Sequence, residues 1–134
     1  MANALYDKAR QKFLEGSLDW SGDSIKFVLV TSGYSEDLAN DEFLSDIVAG
    51  NRVDTSANLS AKTTTDGVAD AADETITSVT GSEVVAIVLY KDTGVEGTSP
   101  LIAFIDTASG LPFTPSGGDV EVRWDSGVNR IFKL

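Results

Sequence analysis

The alternation of apolar and polar positions divides the chain into one helical stretch and a series of short strands. Leu5, Ala9 and Phe13 recur every four residues with Leu14 beside the last, while Asp7, Lys8, Arg10, Gln11 and Lys12 fall elsewhere around the turn. This is the spacing of an amphipathic helix of about three turns. Asn3 is placed to cap its first turn and Gly16 to end it in a left-handed conformation. From Ser24 the period changes to two: Ile25, Phe27 and Leu29 face one way and Lys26, Val28 and Val30 the other, which predicts a central strand. Asp41 to Ile47 predicts one or two helical turns, capped by Asn40 or Asp41 and stopped at Gly50.

Beyond Gly50 the pattern is that of strands and turns. Val53, Ala57, Leu59 and Ala61 alternate within a Ser- and Thr-rich stretch from Arg52 to Thr65 and predict exposed strands. Asp66-Gly67 signals a turn, and Ile76 and Val79 mark a short strand ending at Gly81. Glu83 to Lys91 is apolar on both faces, so it predicts a strand buried on two sides at the centre of the fold. Thr93 to Ser99, with Gly94 and Gly97, reads as a hairpin loop, and Leu101 to Ile105 as its antiparallel return strand. Gly110, Pro112, Pro115, Gly117 and Gly118 punctuate a long connection, after which Val120, Val122 and Trp124 alternate with Glu121 and Arg123. Arg130 to Lys133 gives a last short strand.

About six to eight short strands with helix confined to the early chain predict a mainly β fold. The expected architecture is an antiparallel β-sandwich, jelly roll or small barrel with an N-terminal amphipathic helix. A single domain spans 1–134, with 1–16 as helix or arm and 24–134 as a β-rich body.

Charge and composition then narrow the function. The 134 residues include 21 acidic and 10 basic side chains and no histidine, a formal charge of −11. Such a surface repels phosphate backbones and anionic head groups, so neither nucleic acid nor membrane is expected as a partner. The stretch from Met1 to Gly16 mixes charged and apolar residues without an apolar core segment, unlike a signal peptide or a membrane-spanning helix. Without histidine and cysteine the commonest general base, the thiol nucleophile and most transition-metal ligand sets are missing. A carboxylate pair is the remaining catalytic option, and no motif supplies a nucleophile with its base, so the expectation is a protein that is not an enzyme and carries no cofactor. Asp66, Asp70, Asp73 and Glu74 offer oxygen ligands for calcium but lack the spacing of an EF-hand; solvated loop tips account for them, and no metal is assigned.

What remains is protein contact. Trp20, Tyr34, Tyr90, Phe113 and Trp124 are aromatic faces suited to an interface or a sugar platform, with core packing as the ordinary alternative. Phe113, between Pro112 and Pro115, is the one expected to be exposed, because a proline-bounded loop provides no ladder to bury it. The helix around Leu5 and Phe13 has an apolar stripe that must pack on its own sheet or on a neighbouring subunit. The terminal strand at Ile131 and Phe132 closes its own sheet or pairs with another chain. Leu5, Phe13, Phe113, Ile131 and Phe132 are therefore the candidate interface residues.

Several stretches resemble a known family. The opening Met1-Ala2-Asn3-Ala4-Leu5-Tyr6-Asp7-Lys8-Ala9-Arg10, the run Leu14-Glu15-Gly16-Ser17-Leu18-Asp19-Trp20, and the ending from Trp124 to Leu134 are similar to small virion structural proteins of tailed double-stranded DNA phages. Thr65 to Ala71, Leu89 to Gly94 and Ile105 to Pro112 extend the resemblance along the chain. It implies a virion component without catalytic residues, made in the host cytoplasm. The implied role is a capsid cement or decoration protein, bound at junctions between major capsid subunits and to copies of itself in a homo-oligomer such as a trimer. A tail, neck or fibre component is the alternative within the particle, and a carbohydrate-binding module the alternative outside it.

Overall fold

The structure is a computed structural model that describes residues 4–124 and 131–134. Its strands are β1 (Ala4–Leu5), β2 (Ile25–Val30), β3 (Arg52–Thr55), β4 (Val68–Ala69), β5 (Glu74–Ile76), β6 (Ala86–Lys91), β7 (Leu101–Ile105), β8 (Val120–Val122) and β9 (Phe132–Lys133); a single α-helix, α1 (Asp7–Glu15), follows β1. The most apolar segment takes the middle of the main sheet, whose order is β1-β7-β6-β2-β3. All neighbours in that sheet run antiparallel. Two short antiparallel ribbons, β4-β9 and β5-β8, complete the set, and among the described residues no sheet closes on itself. The described residues are thus mainly β, in antiparallel sheets, with one α-helix.

Register explains why β2 and β6 are apolar on both sides. Phe27 lies opposite Leu89 and Leu29 opposite Ile87, while Val28 lies opposite Val88 and Val30 opposite Ala86; directly opposed residues share a face. All eight are buried, so each face of the sheet is covered. The Trp124 ring meets Phe27 edge-on at 5.8 Å on one face, and Tyr34 meets Phe104, which is paired with Val88, at 6.2 Å on the other. The hairpin from β6 to β7 and the return strand Leu101–Ile105 lie where the pattern placed them.

Four local expectations are corrected. Leu5 is not in the helix: it pairs with Ala103 in β1, and Tyr6, extended at φ −71° and ψ 141°, separates it from the first helical residue, Asp7. Only Arg52–Thr55 of the 52–65 stretch is a strand, and Leu59 there is buried rather than exposed, its N–H bonded to the Ile25 carbonyl at 2.8 Å. The 41–47 segment makes one 3-10 turn at Leu44–Asp46, where neither Asn40 nor Asp41 caps; the Asp46 carboxylate takes the N–H groups of Glu42 and Phe43 at 2.7 and 3.0 Å. Gly50 falls inside a second 3-10 turn, Ala49–Asn51, instead of stopping the first. Gly16 does end α1 at φ +78°, while Asn3 and Arg130 lie outside the described residues. Among the described residues no helix is long and apolar enough to cross a membrane.

Candidate interaction surfaces

Two of the three candidate interface regions meet each other. Phe13, on α1, has its ring 6.0 Å from that of Phe132 on β9, and Phe132 in turn meets Trp20 edge-on at 5.3 Å. The first pair is tilted by 49° and the second is edge-on; aromatic pairs add about 0.5–1.5 kcal/mol beyond the area they bury. Ala9 and Tyr6 are fully buried and Leu5 nearly so, so the helix rests on its own domain. Ile131 is half-buried and donates its N–H to the Ala69 carbonyl at 3.2 Å, next to the β4-β9 ribbon.

Phe113 stands apart and does have backbone pairing. It exchanges two hydrogen bonds with Val84, at 2.8 and 3.0 Å, in an isolated antiparallel bridge. Its ring is half-buried against the core. The proline-bounded loop therefore acquires a ladder rung that no local pattern announces, because its partner lies 29 residues earlier.

The remaining aromatic candidates are turned inward. Trp20, Tyr34 and Tyr90 are buried. The two indoles donate to carbonyls on one segment, Trp20 to Asp70 and Trp124 to Ala72, each at 3.1 Å. The large apolar side chains exposed among the described residues are aliphatic: Leu14, Val48, Val95 and Leu134.

Three shallow clefts of about 430, 550 and 280 Å³ adjoin one another: the first and second share Ile105 and Ile131, and the second and third share Ile87. The charged groups lining them include Arg10 and Lys133 in the first and Glu121 and Arg123 in the second. Arg10 is joined to Asp7 at 2.8 Å, and Arg123 to Glu121. Their walls mix aliphatic side chains with polar and charged ones.

The acidic stretch from Asp66 to Glu74 is pulled apart by the fold. Asp66 occupies a left-handed turn at φ +56°, the Asp70 backbone bridges to Thr63, Asp73 accepts the Trp124 N–H at 2.9 Å, and Glu74 begins β5. Among the described residues no three acidic side chains converge as a metal site would require.

One polar constellation has no counterpart in the pattern of the sequence. The Tyr6 hydroxyl bonds the Tyr34 hydroxyl at 2.7 Å, and Tyr34 donates to the Asp41 carboxylate, also at 2.7 Å. Because Tyr34 gives its proton to Asp41, Tyr6 must donate to Tyr34. The same Asp41 oxygen takes the Asp37 N–H at 2.9 Å. Burial raises both hydroxyl pKa values well above the usual tyrosine range and pushes that of Tyr90 up to about 12, so all three remain neutral. A neutral phenol chain ending on a carboxylate is a fastening between segments, with no strong base or nucleophile in it. No protein-family model matches this chain, and no curated protein matches it.

Proposed function

We propose that this chain is a non-enzymatic structural protein of a tailed double-stranded DNA phage particle: a β-sandwich capsid cement or decoration protein that binds junctions between major capsid subunits and stabilises the filled head. The observation that carries this reading is the likeness of Met1 to Arg10, Leu14 to Trp20 and Trp124 to Leu134 to small virion proteins of such phages. The geometry suits it in two respects. The helix α1 is fastened to β9 through Phe13 and Phe132, which makes a rigid unit. Its large exposed apolar side chains among the described residues, Leu14, Val48, Val95 and Leu134, are spread over the helix, two turns and the C-terminal residue, where neighbouring subunits can reach them. Many modest contacts repeated by capsid symmetry then give strong retention without any single tight interface. Its partners in this reading are the major capsid protein and copies of itself, and its place is the capsid surface.

The test is a cryo-EM comparison of particles with and without this chain. Density at capsomer junctions that vanishes in its absence is the expected result. Loss confined to the tail would move the protein to a tail, neck or fibre position, and unchanged density everywhere would end the virion reading.

A further inference from the structure

We propose that Asp66-Gly67 is a site of covalent self-modification: an isoaspartyl linkage forms there when β9 lifts from β4, and the new linkage keeps the two strands apart. It is the one Asp-Gly step in the 134 residues, and no Asn-Gly step occurs. A glycine after aspartate leaves the next backbone nitrogen unshielded, because no Cβ stands in the way of its approach to the side-chain carboxyl carbon. Asp66 and Gly67 are both exposed, so water reaches them.

The folded turn holds the reacting atoms away from each other. Asp66 is left-handed, at φ +56° and ψ +30°, and in an L residue that ψ puts the following nitrogen nearly opposite Cβ about the Cα–C bond. Ring closure requires the two to be eclipsed. The Gly67 N–H is tied to the Thr64 carbonyl at 3.1 Å, and the Gly67 carbonyl accepts the Leu134 N–H at 3.0 Å. Val68 and Ala69 then pair with Lys133 and Phe132. Swinging the Gly67 nitrogen toward the Asp66 side chain therefore turns this peptide away from Leu134. The ribbon that resists the swing is only two residues long on each strand, with Phe132 gripped by Phe13 and Trp20. Elements with so few pairings open locally at a lower free energy than the whole domain.

In the opened turn the Gly67 nitrogen attacks Cγ of the protonated Asp66 carboxyl. The carboxyl hydroxyl leaves as water with the proton of the N–H, and a five-membered succinimide remains. Water then adds to one of the two imide carbonyls. Breaking the bond from the nitrogen to Cγ restores aspartate; breaking its bond to the main-chain carbonyl carbon of Asp66 frees that group as a carboxyl and leaves the chain running through Cβ. Water is the only co-reactant. The extra methylene lengthens the backbone between the Thr63–Asp70 bridge and its own turn, so the Gly67 carbonyl and the Leu134 N–H no longer meet in register.

The purified full chain, held for weeks at mildly acidic pH and then digested, is mapped for the isoaspartyl form of the peptide that contains residues 66 and 67, beside a sample unfolded in guanidinium. Conversion about ten-fold or more slower in the folded chain than in the unfolded one is expected. Phe132→Leu, which removes the ring that Phe13 and Trp20 grip, should speed the folded chain several-fold. Arg52→Ala, which breaks the Glu96 clamp at the β3 edge of the main sheet, should leave the rate unchanged, and Asp66→Glu should give no isoaspartyl product; circular dichroism checks that each variant is folded. In the separated isoaspartyl chain the Leu134 amide should exchange its hydrogen faster than in the parent. Equal conversion of folded and unfolded chains, a Phe132→Leu rate no different from the parent's, equal acceleration by Arg52→Ala, or full protection of the Leu134 amide in the isoaspartyl chain would overturn the proposal.

Discussion

The hydroxyl chain from Tyr6 through Tyr34 to Asp41 joins the entry to α1 to the loop that covers one face of the main sheet. Removing its middle member strands two groups at once: the Tyr6 hydroxyl loses its acceptor and Asp41 loses a donor. Tyr34→Phe should therefore lower unfolding free energy by about 1–3 kcal/mol, read from the denaturation midpoint; an unchanged midpoint would show that water replaces the bond without loss. The same groups set an alkaline limit. Their folded-state pKa values lie above the unfolded value of 10.0, so the stabilisation is complete below that value and is lost as pH rises beyond it. Phenolate absorbance should appear in one cooperative step together with unfolding, whereas gradual ionisation of a folded protein would contradict the burial of all three rings. None of this was legible in the sequence. A tyrosine pair 28 residues apart leaves no periodic trace, and alternation reports which face a residue takes without reporting which hydroxyl it meets.

Among the elements, those with long uninterrupted patterns were legible and those set by distant contacts were not. The two-sided apolar run became β6 at the sheet centre, and the period-two run Ile25–Val30 became β2. The start of α1 was misread because Leu5 satisfies a helical spacing as well as a strand pairing, and the β7 edge decides in favour of the strand. The candidate interface residues were legible as apolar positions, but not their mutual engagement: Phe13 and Phe132 meet only in the folded chain. A double-mutant cycle on Phe13→Ala and Phe132→Ala should return a coupling of about 0.5–1.5 kcal/mol, and strictly additive effects would refute the contact. Deleting residues 1–14 removes β1, buried Tyr6 and Ala9, and most of α1. The truncated chain should lose cooperative thermal unfolding; a sharp transition near that of the full chain would make these residues a detachable arm.

For the whole molecule, the sequence reported the charge but not its arrangement. Lys12 pairs with Glu42, Lys26 with Asp92, Lys91 with Asp23 and Arg52 with Glu96, so several of the few cations are engaged inside the domain and the surface excess is acidic. Hydrogen bonds from Lys26, Arg52, Ser21 and Asn40 hold the Asp92, Glu96, Asp19 and Asp37 carboxyls below their usual values. A depressed folded-state pKa gives stability that is present above the unfolded value and lost as pH falls through the folded one. The denaturation midpoint should hold, or rise as repulsion is relieved, on acidification from neutrality, and then drop below about pH 4. A midpoint that climbs steadily through that range would show that repulsion outweighs these bonds.

The clasp between α1 and β9 also orders events during synthesis. Phe132 is the residue on which both Phe13 and Trp20 rest, while β1 waits for β7, about a hundred residues later. A ribosome-bound chain still missing β9 exposes the aromatic face of residues made long before. Contacts of such long sequence separation form late. The contacts of Phe13 and Trp20 with Phe132 therefore cannot form until β9 has been released, although both rings belong to residues made at the start of synthesis.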